Sequence, residues 1–339
     1  MVKSAFYFLV FLVLASCYRS KETPNEPTSF CDSVLCNIYD LGRQKDYSAL
    51  VSYLKHPNSL YRQEALLELT SISSNTIVDS VLMLLNDTSE EVRLQAAFTL
   101  GYFADSTLAK ELIVFLQEES ETFPVKVELV KSIGKLADSA ELNWLLSYHT
   151  TNSDYLYAQL VAVASAKQRG IFTTKAMNFL QNYPDTTLAK RIMQLTPIFD
   201  TSTFRVLNLE TPLKPTFSTK KIDWKSVQQR QKYYYLSLPT QQRNFVVQLF
   251  LDKNPAWVIR LEELDRQQFF HKALFRETPE AYLWELPNDC YELPHRFVRG
   301  SVLEGTCFVM REHQKIWLAI AKTSLPELEI RAIIIGKIW

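Results

Sequence analysis

The chain has 339 residues, which is enough for two domains of ordinary size. Lysine plus arginine and aspartate plus glutamate both number 37, so the formal net charge is zero. Bulk charge therefore argues against nucleic acid as a partner. Only 7 residues are glycine, far below the usual share of about 7%, and this scarcity favours a helical solenoid over a loop-rich barrel.

The first 17 residues are laid out like an export signal. Lys3 precedes an apolar run over residues 5–15, which is shorter than the roughly 20 residues of a membrane-spanning helix. The run closes with L-A-S-C, ending at Cys17, and this ending resembles the lipobox of bacterial lipoproteins. In that family the cysteine is lipidated and becomes the first residue of the mature chain. The resemblance implies a signal peptide over 1–16 and lipidation of Cys17. The alternative is an ordinary cleaved signal with a chance cysteine.

Residues 17–30 are polar and contain Pro24 and Pro27, a composition typical of a flexible tether. A lipid on Cys17 implies that the membrane is a partner and that the protein lies in the bacterial cell envelope. Tyr18 follows the cysteine, instead of the aspartate that retains lipoproteins in the inner membrane of some bacteria. This favours the outer membrane, facing the periplasm.

Four cysteines follow Cys17, and three interpretations of them stay open. An exported chain can oxidise them in pairs, they can be buried free thiols, or the last two can bind zinc together with two histidines. The zinc spacing matches no common pattern, so we expect neither a metal nor a cofactor. The pairs are Cys31–Cys36 and Cys290–Cys307, and the histidines are His295 and His313.

From about residue 47 the sequence repeats itself every 31 to 33 residues. Residues 60–69 and 91–100 align without a gap, and each copy follows another apolar-periodic segment. Two helical segments per period predict stacked α-hairpins, about five of them in a right-handed stack. The positions expected in the common core are Leu69, Ala96, Leu100 and Ile133.

The pattern D/P-x-x-V-R-x-x-A-x-x-x-L, clearest over residues 87–100, resembles HEAT repeats. The resemblance covers about 47–200 and implies an α-solenoid domain over 31–200 that binds protein or peptide partners. Arg62 and Arg93 recur in this pattern, and we expect their guanidinium groups to form pairs in the turns. The pattern itself contains no nucleophile with a base, no metal cluster and no phosphate loop.

After a predicted linker over 201–221 the apolar period changes from 3.6 to 2, which indicates a mostly β domain. A short helix is expected over 256–264. The predicted strands are 233–238, 245–251, 281–286, 306–310, 316–321 and 331–338.

This second half resembles a shortened cyclophilin. Residues 245–264, FVVQLFLDKNPAWVIRLEEL, are similar to that family's opening strand, turn and helix. Residues 269–279, FFHKALFRETP, resemble its G-F-Y-x-x-x-x-F-H-R-x-x-P, and residues 326–338, PELEIRAIIIGKI, resemble its P-x-L-D-G-x-x-x-V-F-G-K-V. Residues 299–302 fit a strand start between them. The resemblance implies a cyclophilin-like β-barrel over 222–339, and with it the activity of a peptidyl-prolyl isomerase.

The catalytic arginine of that family maps to Arg276. In active members it favours the twisted state of the X-Pro bond, whose uncatalysed barrier is about 18–20 kcal/mol, and catalysis consists of binding that state best. The other pocket groups have changed. The family's proline-pocket phenylalanines map to Ala281 and to Ala319 or Trp317, its glutamine to Trp284, and its histidine to Ala332.

Two functions remain in competition. The first is a membrane-anchored interaction scaffold whose cyclophilin-like module binds polypeptide and is catalytically impaired. The alternative is an active isomerase that assists the folding of exported proteins, with Arg276 at its centre. Three aromatic residues, Tyr282, Trp284 and Trp317, either form a peptide-binding patch or fill the barrel.

Overall fold

The structure is a computed structural model that describes residues 28–70, 77–103, 105–118, 120–194, 222–240, 243–279, 281–287, 290, 304–312, 315–322 and 333–338. Helices occupy the first half of these residues and one antiparallel sheet dominates the second. Across the described ranges, no helix is both long enough and apolar enough to span a membrane.

The described residues of the helical half form one leading helix and five α-hairpins. A 3-10 turn at Ser29–Cys31 precedes the leading helix α1, and another at Met83–Asn86 extends α4. The helices are α1 Ser33–Gln44, α2 Tyr47–Tyr53, α3 Ser59–Leu69, α4 Val78–Leu82, α5 Glu90–Leu100, α6 Leu108–Gln117, α7 Phe123–Leu136, α8 Ser139–Leu145, α9 Ser153–Gln168, α10 Thr174–Gln181 and α11 Thr186–Gln194.

The predicted repeat register is confirmed by burial. Leu69, Ala96, Leu100 and Ile133 are all completely buried in one continuous apolar core. Polar side chains fix where several helices begin, because they accept hydrogen bonds from the first free amides. Asp138 and Glu141, for example, form a reciprocal capping box at the start of α8.

The second helices of the hairpins pack directly against one another. Gly134 of α7 lies so close to α9 that an added Cβ would stand 2.2 Å from the Cα of Ala162. Only glycine permits this approach. We call the layer formed by the first helices, α2, α4, α6, α8 and α10, the outer layer of the stack.

Consecutive repeats are also joined through their turns. Arg62 forms two hydrogen bonds of 2.7 Å with Asp87 in the next turn, and Arg93 binds Glu121 one repeat further on, at 3.1–3.2 Å. The predicted pairing of both arginines is confirmed. Burial alone would raise the pKa of Asp87, but hydrogen bonds from Arg62 and the Ser89 amide outweigh it and lower that pKa.

The second half forms one curled antiparallel sheet of seven strands. Their order across the sheet is β1-β2-β7-β5-β6-β4-β3. A short helix, α12 Trp224–Gln228, precedes the sheet, and α13 Pro255–Arg266 packs against β1 and β2. The strands are β1 Tyr233–Pro239, β2 Asn244–Phe250, β3 Phe275–Glu277, β4 Ala281–Leu286, β5 Thr306–Glu312, β6 Lys315–Ala321 and β7 Ile333–Ile338.

All six predicted strands and the predicted helix are present, with small shifts at their ends. Strand β3 is an addition that the periodicity does not predict, because three residues are too few to show an alternating pattern. The predicted linker over 201–221 lies outside the described residues.

Helix α1 belongs to both halves of the molecule. Ile38 contributes to the core of the hairpins, whereas Leu35 and Tyr39 contribute to the core of the sheet domain. From the sheet side, the indole N–H of Trp224 donates to Asp40 at 2.6 Å, and its ring stacks on Phe30 with centroids 5.1 Å apart. The two halves thus share a continuous packed junction.

The residues just before α1 are held by the sheet domain as well. Asp252, at the end of β2, accepts hydrogen bonds of 2.7 Å from the Thr28 hydroxyl and from the Ser29 amide. Residues 28–30, which the sequence assigned to the flexible tether, are therefore fixed in place. Phe30 is buried here, because a solvated tether would leave its aromatic side chain exposed to water.

Candidate functional site

Strand register divides the sequence-predicted site residues between two faces of the sheet. Arg276 lies opposite Leu283, and Trp317 lies opposite Glu285. Tyr282 and Trp284 occupy the alternate positions of β4, so they point to the other face. The structure brings Arg276 together with Trp317, and Tyr282 together with Trp284, but it does not unite the four.

Trp284 is an interior residue. Its side chain is 0% exposed and belongs to the main core of the sheet domain. The indole N–H donates to the carbonyl oxygen of Pro239 at 3.1 Å, and the ring contacts Phe245 and Phe275. Pro239 ends the edge strand β1, and Trp284 lies in β4, the strand next to the other edge. This contact therefore brings the two sides of the sheet together as it curls.

Tyr282 lies at the rim of the same core. Its ring packs on Phe245 at a centroid distance of 4.7 Å and is stacked with Phe275 at 6.4 Å. Two cations approach it: Lys322 lies 5.0 Å from the ring centre, and Arg243 lies 5.9 Å from it and 3.4 Å from the hydroxyl oxygen. Tyr282 therefore helps to seal the end of the barrel-like curl.

The opposite face carries Arg276 beside a buried apolar layer. Its guanidinium carbon lies 6.0 Å from the centre of the Trp317 ring, within cation–π range. Trp317 is only 3% exposed, and the positions that replace the two proline-pocket phenylalanines, Ala281 and Ala319, are buried in the same layer. Little surface is left beside the arginine for a proline ring.

Two other residues singled out by the sequence, Cys17 and Ala332, lie outside the described residues, as do His295 and His313 of the possible zinc quartet. The four cysteines from Cys31 onward lie within the described residues and form no disulfide with one another. Burial strongly raises the pKa of Cys307. Within the described part of the chain, no three histidine, cysteine or acidic side chains are grouped as a metal site would require.

The helical half carries a surface feature that sequence reasoning missed. Met83, Val114 and Trp144 are 67%, 60% and 37% exposed, although all three are large and apolar. Each occupies the same position of its repeat, two residues after a fully buried residue of the outer helix. We call this row the outer stripe. The equivalent residues of the first and last hairpins, Ser52 and Asn178, are exposed and polar.

The signal for the outer stripe was present in the repeat alignment. The buried residues that precede these positions recur at steps of 30 to 34 residues, and an offset of two turns the side chain about 200° away from the core. Apolar residues there break the pattern of a solvated face. The buried residues are Leu50, Val81, Leu112, Leu142 and Ala176.

Comparison with known proteins supports the repeat assignment. Residues 78–165, about a quarter of the chain, match the family model described as HEAT repeats. No curated protein matches the chain. The chain therefore combines a HEAT-like helical region with a curled antiparallel sheet, and its repeats are of a kind that commonly serves as a protein-interaction scaffold.

Proposed function

We propose that this protein is a membrane-anchored interaction scaffold that binds a polypeptide partner along the outer stripe. The observation that carries the proposal is the exposure of three large apolar side chains at one repeat position, bounded by polar residues at both ends. The surfaces of soluble proteins seldom carry a row of large exposed apolar side chains without a binding role.

The regular repeat of the outer stripe suits an amphipathic partner helix. The stripe places one large apolar side chain on each of three consecutive hairpins, at Met83, Val114 and Trp144. An α-helix returns to the same face every seven residues, which is about 10.5 Å along its axis. A partner helix laid across α4, α6 and α8 would match one apolar side chain to each outer helix.

Site-specific photocrosslinking in the producing cell tests this surface. A photoreactive phenylalanine placed at 83, 114 or 144 is expected to give the same crosslinked partner. The same group at 52 or 178, the equivalent positions of the flanking repeats, is expected to give none. Adducts at all five positions, or at none, would contradict the proposal. All five sites are exposed, so folding should change by no more than about 0.5 kcal/mol.

For the sheet domain we propose a shortened cyclophilin-like barrel without isomerase activity. Support comes from the strand–turn–helix order of 245–264 and from the buried layer beside Arg276. Ala281 and Ala332 stand where the family pattern has a phenylalanine and a histidine. Arg276 therefore keeps its charge but has few neighbouring groups that could position a substrate.

An exchange measurement on a proline-containing peptide tests the lack of activity. The chain must include α1, because that helix contributes to the sheet core. We expect no acceleration, and no difference between the wild type and Arg276→Ala. Acceleration comparable to an active cyclophilin, lost in Arg276→Ala, would establish the isomerase alternative instead.

The membrane anchor is proposed from the lipobox-like sequence alone. Lipidation of Cys17 would supply two or more acyl chains on one residue, which is enough for stable attachment. The scaffold would then act in the cell envelope, with the outer membrane favoured by Tyr18.

A further inference from the structure

The three hairpins that carry the outer stripe are acidic, although the whole chain is neutral. From Val78 to Arg169 the sequence contains 13 acidic and 7 basic residues, so the net charge of these hairpins is −6, whereas the complete chain has a formal net charge of zero. Residues 71–76 and 104, which adjoin α4 and α6 in the sequence, contain no charged side chain that would offset this excess. Charge of one sign that is concentrated in one part of a neutral chain favours partners of the opposite sign.

Exposed carboxylates lie about one helical turn from the apolar side chains of the outer stripe. Asp79 precedes Met83 by four residues. Glu111 precedes Val114 by three residues, and Glu118 follows at the end of the same helix. Residues three or four apart are neighbours on one side of a helix. All three carboxylates are exposed, and within the described part of the chain none of them has a cation at ion-pair distance.

Two further carboxylates stand where outer helices begin. Asp138 is exposed and caps α8, and Asp105 lies shortly before α6. Hydrogen bonds from the hydroxyl and the amide of Thr107 lower the pKa of Asp105, so this side chain is ionised at neutral pH. The positive ends of the helix dipoles offset part of these two charges. The carboxylates nearest to the outer stripe therefore contribute most of its negative surroundings.

Few cations lie on the same side of the hairpins. Lys110 is the one lysine or arginine of α4, α6 and α8, and its ammonium is 4.0 Å from the carboxylate of Glu141. Most other basic side chains of the three hairpins bind groups of the turns and of the second helices. They are Arg93 with Glu121, Lys131 with Glu128, Lys135 over the rings of Phe98 and Tyr102, Lys167 with the Met193 carbonyl, and Arg169 with the carbonyls of Gly134, Leu136 and Ala137.

We infer that the partner of the outer stripe is a basic amphipathic helix. Its apolar face would lie on the stripe, and lysine or arginine residues beside that face would pair with Asp79 and Glu111 on one side and with Glu118 on the other. Each exposed ion pair adds little affinity, but together they speed association and exclude acidic competitors. This inference rests on the proposed function and adds the charge of the partner to it.

Binding of three designed helical peptides to the full mature chain tests the charge of the partner. The peptides share one leucine face of heptad spacing, and their flanking residues are all lysine, all glutamine or all glutamate. Fluorescence anisotropy at low and at physiological ionic strength measures the dissociation constants. We expect the lysine peptide to bind about tenfold more tightly than the glutamate peptide, the effect of two or three exposed ion pairs, with the glutamine peptide between them. The preference should shrink as salt rises, because exposed charges are screened.

Substitutions locate the preference on the chain. Asp79→Asn combined with Glu111→Gln should weaken binding of the lysine peptide about threefold and leave binding of the glutamine peptide unchanged. Asp185→Asn is the matched control, because that carboxylate is exposed in the last hairpin and asparagine also caps a helix. Val114→Gln should weaken all three peptides about fivefold, because it removes an apolar contact. All four positions are exposed, so folding should be retained.

The outcomes separate this inference from the proposed function. Equal binding of the lysine and glutamate peptides, both weakened by Val114→Gln, would overturn the basic partner and leave the outer stripe as a binding surface. Lysine-peptide binding that Val114→Gln does not change would overturn both. A double variant that behaves like Asp185→Asn would overturn the inference alone. Absence of binding by all three peptides would also overturn it, and photocrosslinking at 83, 114 and 144 then decides whether the outer stripe has a partner.

Discussion

Replacing Trp284 with alanine is expected to destabilise the sheet domain by about 3–5 kcal/mol, the usual cost of truncating a fully buried large aromatic side chain. The indole is completely buried and contacts Phe245 and Phe275. Its removal would leave a cavity and would also free the Pro239 carbonyl of its donor. Urea unfolding followed by circular dichroism measures the loss.

Two further variants separate the causes. Trp284→Phe keeps most of the ring but removes the N–H, so it should cost about 1–2 kcal/mol from the lost hydrogen bond and a small void. Trp144→Ala is the comparison variant, because that tryptophan is 37% exposed and already has part of its ring in water, so its loss of stability should be clearly smaller than that of Trp284→Ala. Equal stability of Trp284→Ala and Trp144→Ala would show that Trp284 is not a core residue.

The helical half follows closely from the sequence because local periodicity decides it. Each hairpin buries residues three and four apart, so the apolar spacing that defines Leu69 and Leu100 as core residues also sets the helix faces. The outer stripe could have been found in the same alignment, by comparing the residues at each exposed repeat position with the polar residues expected there.

The sheet domain shows where sequence reasoning stops. Alternation predicts which residues form strands, but it does not predict which strands pair with one another. That Trp284 and Trp317 lie on opposite faces of the sheet is therefore known only from the register of β4 and β6. The packing of α1 against the sheet domain could not be predicted from the sequence either. The bond from Trp224 to Asp40 joins residues 184 positions apart, and no local pattern encodes such a pairing.

Replacing Cys17 with serine is expected to move the protein from the membrane fraction to the soluble fraction almost completely. The reason is that the hydroxyl cannot take the diacylglycerol that the lipobox-like sequence implies, while a single-chain or unlipidated segment gives only marginal membrane affinity. Fractionation of cells, with immunoblotting of both fractions, measures the shift. Mass spectrometry of the N-terminal peptide from wild-type membranes should find an acylated Cys17 at the mature N-terminus.

Cys31→Ser is the matched control, because Cys31 is an exposed free thiol beyond the proposed tether and should not affect fractionation. A wild type that is soluble, or that starts at another residue without acyl groups, would contradict lipidation.

A lipid on Cys17 would also limit how far the folded part of the chain can lie from the membrane. Residues 28 and 29 are bonded to Asp252, and an extended chain covers at most about 3.6 Å per residue. The eleven steps from Cys17 to Thr28 therefore reach no more than about 40 Å. A lipid at Cys17 would therefore hold Asp252 and the junction between the two halves within that distance of the bilayer.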